Sequence, residues 1–236
     1  MLYVLVPPSE GKATGGRGPW QPASGAFGRR LGGPRREVIE ALGRTALNEA
    51  KLGARGALYE RAVAANHAVA ATKAHRLAAH QRYTGVVWEH LAATTLDDGQ
   101  RSRILVPSAL LGLVTANDPV PDHRLKFDVS LDGIGRLDRH WRPLVTDAVK
   151  KHTTRHDTIV ELLPQEHTAA VDLAAVAKHR HVVRTTFTGT TGHDAKAVKG
   201  ALARHLLLHG PDTATFAWHG WQADYDEANR AITVSR

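Results

Sequence analysis

Leu2-Tyr3-Val4-Leu5-Val6-Pro7-Pro8-Ser9-Glu10-Gly11-Lys12 opens the chain. Its first five apolar residues predict a buried β-strand, and the two prolines, which cannot extend a ladder, end it. A loop leaving a strand's carboxyl end is where α/β proteins place ligand chemistry. There Gly11 permits close backbone approach, Ser9 offers a hydroxyl and Lys12 a point charge for an anion. The spacing is not that of the phosphate-binding GxxxxGK[ST] loop. A Pro-terminated strand followed by a surface lysine would look the same.

Working outward, the pattern alternates strands with helices. Residues 15–34, rich in Gly, Pro, Arg and Ser, read as an irregular, mobile loop. Residues 35–80 carry apolar positions at helical spacing and read as two or three helices broken near Gly53 and Gly56. Residues 103–108 read as a second buried strand, 109–116 as a helix or turn, and Asn117–Asp122 as a loop set by its prolines. Residues 125–131 alternate like an edge strand, and 134–151 read as a helix. Strands follow at 158–163 and 182–188, helices at 169–177 and 193–208, and two short strands close the chain. The expected class is α/β (mixed α+β): one compact domain over 1–236, with a central mixed sheet, helices around it and a basic cleft at the strand ends.

The 236 residues include 31 Lys and Arg against 23 Asp and Glu, a net charge of +8, which favours polyanionic partners. No cysteine is present, so disulfides, thiolate metal sites and cysteine nucleophiles are excluded. The N-terminal apolar run lacks a preceding basic segment and no stretch is long enough to span a bilayer, so a cytoplasmic location without membrane contact is expected. The 15 histidines form no HExxH pair, and neither a metal nor a cofactor is expected.

Two further strand ends carry polar chemistry. Gly189-Thr190-Thr191-Gly192-His193 leads into a helix whose free N–H groups and dipole favour phosphate or carboxylate, with Thr191 as donor or cap. Lys196 and Lys199 share one face of that helix, although a solvated face would carry lysines too. Ser108 lies in a small-residue turn. Asp118 is either an acid–base group or a turn former, and Arg124 offers a planar guanidinium to an anion. His193 and His167 are the histidines that stand near such ends.

Taken together, Pro7–Lys12, Tyr83-Thr84-Gly85, Ser108–Gly112, Asp118-Pro119-Val120-Pro121-Asp122-His123-Arg124-Leu125, Glu161–His167 and Ala195–Gly200 resemble, in order and spacing, the YaaA family of bacterial peroxide-stress proteins, in its PPSEGK branch. The resemblance spans residues 2 to about 220. It implies roles for Ser9, Glu10, Lys12, Tyr83, Ser108, Asp118, Arg124, Lys196 and Lys199. His123 stands where the family commonly has Tyr, and Arg can replace Lys199. The resemblance also implies protection against hydrogen peroxide linked to lower free iron, and DNA binding through a helix-hairpin-helix-like element. That element maps onto 46–76, where Lys51, Arg55, Lys73 and Arg76 would meet phosphates.

Two functions share these residues. One is a DNA-binding stress protein acting through the basic cleft. The other is an enzyme on a nucleotide, nucleoside or other phosphorylated small molecule, with Glu10, Asp118 or His193 as acid–base groups. Ser9, Lys12, Tyr83, Ser108, Arg124, Thr191, Lys196 and Lys199 would then bind the ligand. The oligomeric state is not legible.

Overall fold

The computed structural model describes residues 1–189 and 191–236. Thirteen strands are formed among the described residues. They are β1 (Leu2–Leu5), β2 (Arg17–Pro19), β3 (His75–Ala78), β4 (Ile104–Ser108), β5 (Gly112–Thr115), β6 (Pro119–Pro121) and β7 (Ser130–Leu131), then β8 (Gly135–Arg136), β9 (Thr158–Glu161), β10 (His181–Phe187), β11 (Ala217–Trp218), β12 (Trp221–Asp226) and β13 (Ala231–Ser235). The helices are α1 (Gly28–Arg44), α2 (Glu49–Leu52), α3 (Gly56–Ala70), α4 (Ala79–Arg82) and α5 (Val86–Leu91), then α6 (Asp98–Ser102), α7 (Leu137–His152), α8 (Gln165–Thr168), α9 (Leu173–Ala177) and α10 (Gly192–His209).

Eight strands form one sheet in the order β11-β12-β13-β10-β9-β1-β4-β5. Its centre, β4-β1-β9-β10-β13, is parallel throughout. Both flanks run antiparallel, β5 against β4 and β12 against β13. Every residue of β1 and β4 is buried, as expected of parallel strands covered on both faces. The expected mixed α/β domain is therefore observed.

The topology positions the site. From β1 the chain moves to β4 on one side, then returns to β9 on the other side of β1. The connections diverge at this point and leave a crevice outside the carboxyl ends of β1 and β9. Helix α10 packs against α5 beside it. A Cβ at Gly200 would lie 2.3 Å from the Val87 carbonyl oxygen, so only glycine allows this approach.

Four local expectations fail. The loop expected over 15–34 instead contains β2 and the first two turns of α1, with Gly32, Gly33 and Pro34 inside the helix. Tertiary contacts override those poor helix formers: buried Leu31, Val38, Ile39 and Leu42 line one face. From the same face the buried Arg35 guanidinium donates to the carbonyls of Leu111 (2.8 Å), Leu113 (2.9 Å), Pro22 (3.0 Å) and Ser24 (2.9 Å). Residues 75–78, read as helix, form β3, which pairs with β6 in the prolines' segment. Residues 112–115, read as helix or turn, form the β5 edge, while the strand expected over 125–131 shrinks to Ser130–Leu131.

Among the described residues no helix is long and apolar enough to cross a membrane.

Candidate functional site

The loop after β1 is held open by its neighbours. Trp88 Nε1 donates to the Pro7 carbonyl at 3.0 Å. Lys12 and Tyr83 form an isolated antiparallel bridge, and Ala13 N donates to Arg82 O at 2.8 Å. Arg82 is fully buried and donates to the carbonyls of Ala13, Gly15, His75 and Val120. One guanidinium thus satisfies four carbonyls that would otherwise be desolvated and unpaired. A Cβ on Gly85 would come within 2.3 Å of Ser9 Oγ, so this residue type sets how close α5 approaches the loop.

The loop borders a cleft of about 350 Å³. Its walls bring together seven of the residues singled out from the sequence: Ser9, Glu10, Lys12, Ser108, Arg124, Lys196 and Lys199. The loops after β1, β4 and β9 and the first turns of α10 meet here, as the switch-point geometry requires.

Arg124 joins the cleft to the α2–α3 turn. Its Nε donates to Leu52 O at 2.9 Å, and its Nη2 donates to Gly53 O at 2.8 Å and Glu10 Oε2 at 2.9 Å. Asn66, from α3, grips the Arg124 backbone in both directions, donating to its carbonyl at 2.8 Å and accepting from its N–H at 2.9 Å. Glu10 remains 69% exposed while Arg124 is 11% exposed, so the pair is open to a competing anion on the acid's side.

Lys12 is only 9% exposed, and burial lowers its pKa to about 8. Its Nζ donates to Ser9 O at 2.9 Å and lies 5.7 Å from the Tyr83 ring centre. Lys199 is also lowered, first by burial, with the Glu161 carboxylate opposing the shift. Glu161, at the end of β9, is raised by burial and accepts from Leu163 N at 2.8 Å.

Several wall residues were noted in the sequence without an assigned role. His123 is buried and held well below the ordinary imidazole range, first by desolvation and then by the Lys12 charge. His167, noticed but given no role, lies against Phe127 and is lowered to about 4 by burial and by Lys199. Its contact with Glu166 at 3.4 Å is therefore not an ion pair at neutral pH, and its buried Nδ1 has no hydrogen-bond partner. Lys126 completes the cationic lining, while Glu166 and Asp128 add carboxylates. Lys126 and His123 both flank Arg124 in sequence: His123 lies within the Asp118–Leu125 motif, and Lys126 alternates with Arg124 about Leu125.

Other expected residues lie elsewhere. Tyr83 sits behind the cleft, buried against Trp88, with its hydroxyl facing Ser108 but unpaired. The Asp118 carboxylate accepts from Ala26 N and Thr115 N, each at 2.9 Å, and fixes a turn outside the cleft. Its acid–base role is therefore corrected to a structural one. His193 and Thr191 are exposed at the start of α10 and do not line the cleft, and Thr191 makes no side-chain cap. Thr190 lies outside the described residues.

Lys51, Arg55, Lys73 and Arg76 are all exposed, but not together. The 15 residues of α3 separate the first pair from the second, a rise of about 22 Å.

The family model described as "Peroxide stress protein YaaA" matches residues 2–226. The chain belongs to the YaaA peroxide-stress family. Among relatives, a UPF0246 protein of Streptomyces coelicolor is 30% identical over 232 residues, covering 89% of this chain and 84% of that protein. A UPF0246 protein of Corynebacterium efficiens is 31% identical over 225 residues, covering 92% and 89% respectively. In this YaaA-family chain, the motif residues that converge on the cleft come from Pro7–Lys12, Ser108, Arg124 and the lysines of α10.

Proposed function

We propose that the cleft binds a phosphorylated small molecule, with Arg124, Lys126, Lys196 and Lys199 receiving the phosphate and the loop of Ser9 to Lys12 enclosing the rest. The observation that carries this reading is that the cleft encloses Lys12 and Arg124, which are 9% and 11% exposed. A volume of about 350 Å³ with a floor lysine 9% exposed suits a metabolite-sized ligand. A duplex, whose phosphates lie on a cylinder too broad to enter, would not reach Lys12. Phosphate also suits the donors, since a guanidinium gives forked hydrogen bonds and ammonium groups give point charges. In the peroxide-stress setting of the family, we infer that any protection against iron-linked damage runs through this ligand in the cytoplasm.

The test is calorimetric titration of the purified chain with sodium pyrophosphate, alongside Lys196→Ala/Lys199→Ala. Saturable binding weakened at least tenfold in the variant supports the reading. Equal affinity in both proteins contradicts it.

A second reading keeps DNA as a partner, on the outer face rather than in the cleft. It is favoured by the α2–α3 turn, where Gly53 adopts φ 57° and Lys51 and Arg55 stand exposed on either side. Such a turn between helices can present its basic side chains to phosphates. Titration with a 20-base-pair duplex at two salt concentrations tests it. Binding that weakens with salt and depends on Lys51 and Arg55 supports it; no binding at low salt removes it.

A further inference from the structure

We propose that Lys12 is the nucleophile of this site and forms an imine with an aldehyde or ketone carbonyl borne by the phosphorylated ligand, an inference that rests on the phosphate reading above.

Four observations lead there. First, Lys12 is buried in the cleft wall, yet its Nζ has one hydrogen bond, to Ser9 O at 2.9 Å. An ammonium carries three donors and is stabilised in a protein interior by a carboxylate. Among the described residues, no carboxylate lies within ion-pair distance of Lys12, because Glu10 and Asp122 are engaged by Arg124 and Arg61. The site therefore raises the share of neutral amine relative to an exposed lysine, burial bringing its pKa to about 8.

Second, an uncharged imidazole lines the same cleft. His123 Nδ1 meets the Pro121 carbonyl at 3.0 Å, which requires the proton on Nδ1 and leaves the Nε2 lone pair free on a neutral ring. Third, no thiol or hydroxyl of the cleft is activated, and the other amine lowered by burial, Lys199, has the Glu161 carboxylate favouring its charged form. The chain has no cysteine. Ser108 Oγ accepts from Leu111 N at 3.3 Å, and neither Ser108 nor Ser9 is hydrogen-bonded to a histidine. Fourth, two further cations of the cleft, Lys196 and Lys199, approach from α10 and can hold a phosphate while Lys12 reacts.

The step balances without redox chemistry. The neutral Lys12 Nζ attacks the carbonyl carbon, a C–N bond forms, and the carbonyl π pair moves to oxygen. His123 Nε2 takes a proton from the nitrogen and returns it to that oxygen. Loss of the hydroxyl with the second nitrogen proton releases one water and leaves the C=N bond.

The test incubates the purified chain with D-glyceraldehyde 3-phosphate and sodium cyanoborohydride, followed by intact-mass analysis and peptide mapping. A single reduced adduct on Lys12, formed at least tenfold less with D-glyceraldehyde, is the expected result. It should vanish in Lys12→Arg, with circular dichroism confirming that the variant folds. Adducts spread over exposed lysines such as Lys51 and Lys178, with Lys12 unmodified, overturn the inference even where pyrophosphate binds. Equal labelling of Lys12 by both aldehydes, without pyrophosphate binding, contradicts the phosphate reading and leaves the nucleophile standing.

Discussion

Lys12 Nζ donates to the Ser9 carbonyl three residues earlier in the loop, at 2.9 Å. That contact folds the amine back over its own loop and leaves Lys12 9% exposed. Desolvation is the largest influence on Lys12, with the charges of Arg124 and Arg82 acting in the same direction and those of Asp122 and Glu10 opposing them. If the neutral amine reacts, cyanoborohydride trapping should rise with pH through about 8 and level off above it. An unperturbed lysine would still be rising above pH 10. Trapping rates measured from pH 6 to 10 separate the two.

Gly85 lies where a side chain has no room. Its Cβ would sit 2.3 Å from Ser9 Oγ and 3.3 Å from Ser9 Cβ. Gly85→Ala should push the loop after β1 away from α5 and weaken pyrophosphate binding at least tenfold. Relief by loop movement should keep the stability loss to about 1–3 kcal/mol. Calorimetry and urea denaturation on the same variant check both.

Arg35 is the buried tie between α1, residues 22–24 and the β4–β5 turn. Arg35→Ala takes the guanidinium donor from the carbonyls of Leu113, Pro22 and Ser24, while that of Leu111 keeps Leu113 N. Each such group costs about 1–3 kcal/mol, so a loss of at least about 3 kcal/mol is expected. Arg35→Lys should recover only part of it, because an ammonium cannot span the same set of acceptors. Chemical denaturation midpoints measure both.

His167 gives the fold a defined acid sensitivity. Its folded-state pKa of about 4 lies below the ordinary 6.5, so between those values the unfolded chain binds more protons than the folded one. Stability is fully present above pH 6.5, falls as pH drops towards 4, and is constant with respect to this group below that. A shift of this size corresponds to about 3 kcal/mol. His167→Gln should flatten the stability profile between pH 6.5 and 4 in denaturation experiments, relative to the native chain. An unchanged slope would contradict the assignment.

The strand skeleton was legible because parallel strands buried on both faces read as uninterrupted apolar runs: Leu2–Val6, Ile104–Val106 and Ile159–Val160 could hardly be anything else. The cleft was legible as far as it is made of strand ends, hence Ser9, Glu10, Lys12, Ser108, Arg124 and the α10 lysines. What escaped depends on long-range pairing. Nothing local says that Pro34 lies in a helix, because the reason is Arg35 meeting carbonyls some 76 residues away. His75-Arg76-Leu77-Ala78 looks helical in isolation and becomes a strand only because Pro119-Val120-Pro121 pairs with it. Asp118 looked catalytic by residue type, but its acceptors are spent on the N–H groups of Ala26 and Thr115. Asn66 carried no signal at all, since its partner Arg124 lies 58 residues further on.

The most direct measurement is a crystal structure of the purified chain soaked with sodium pyrophosphate. The account predicts density for the anion inside the cleft, within hydrogen-bond distance of Arg124, Lys196 and Lys199. Density only on the outer face, around Lys51 and Arg55, with the cleft holding solvent alone, would contradict it.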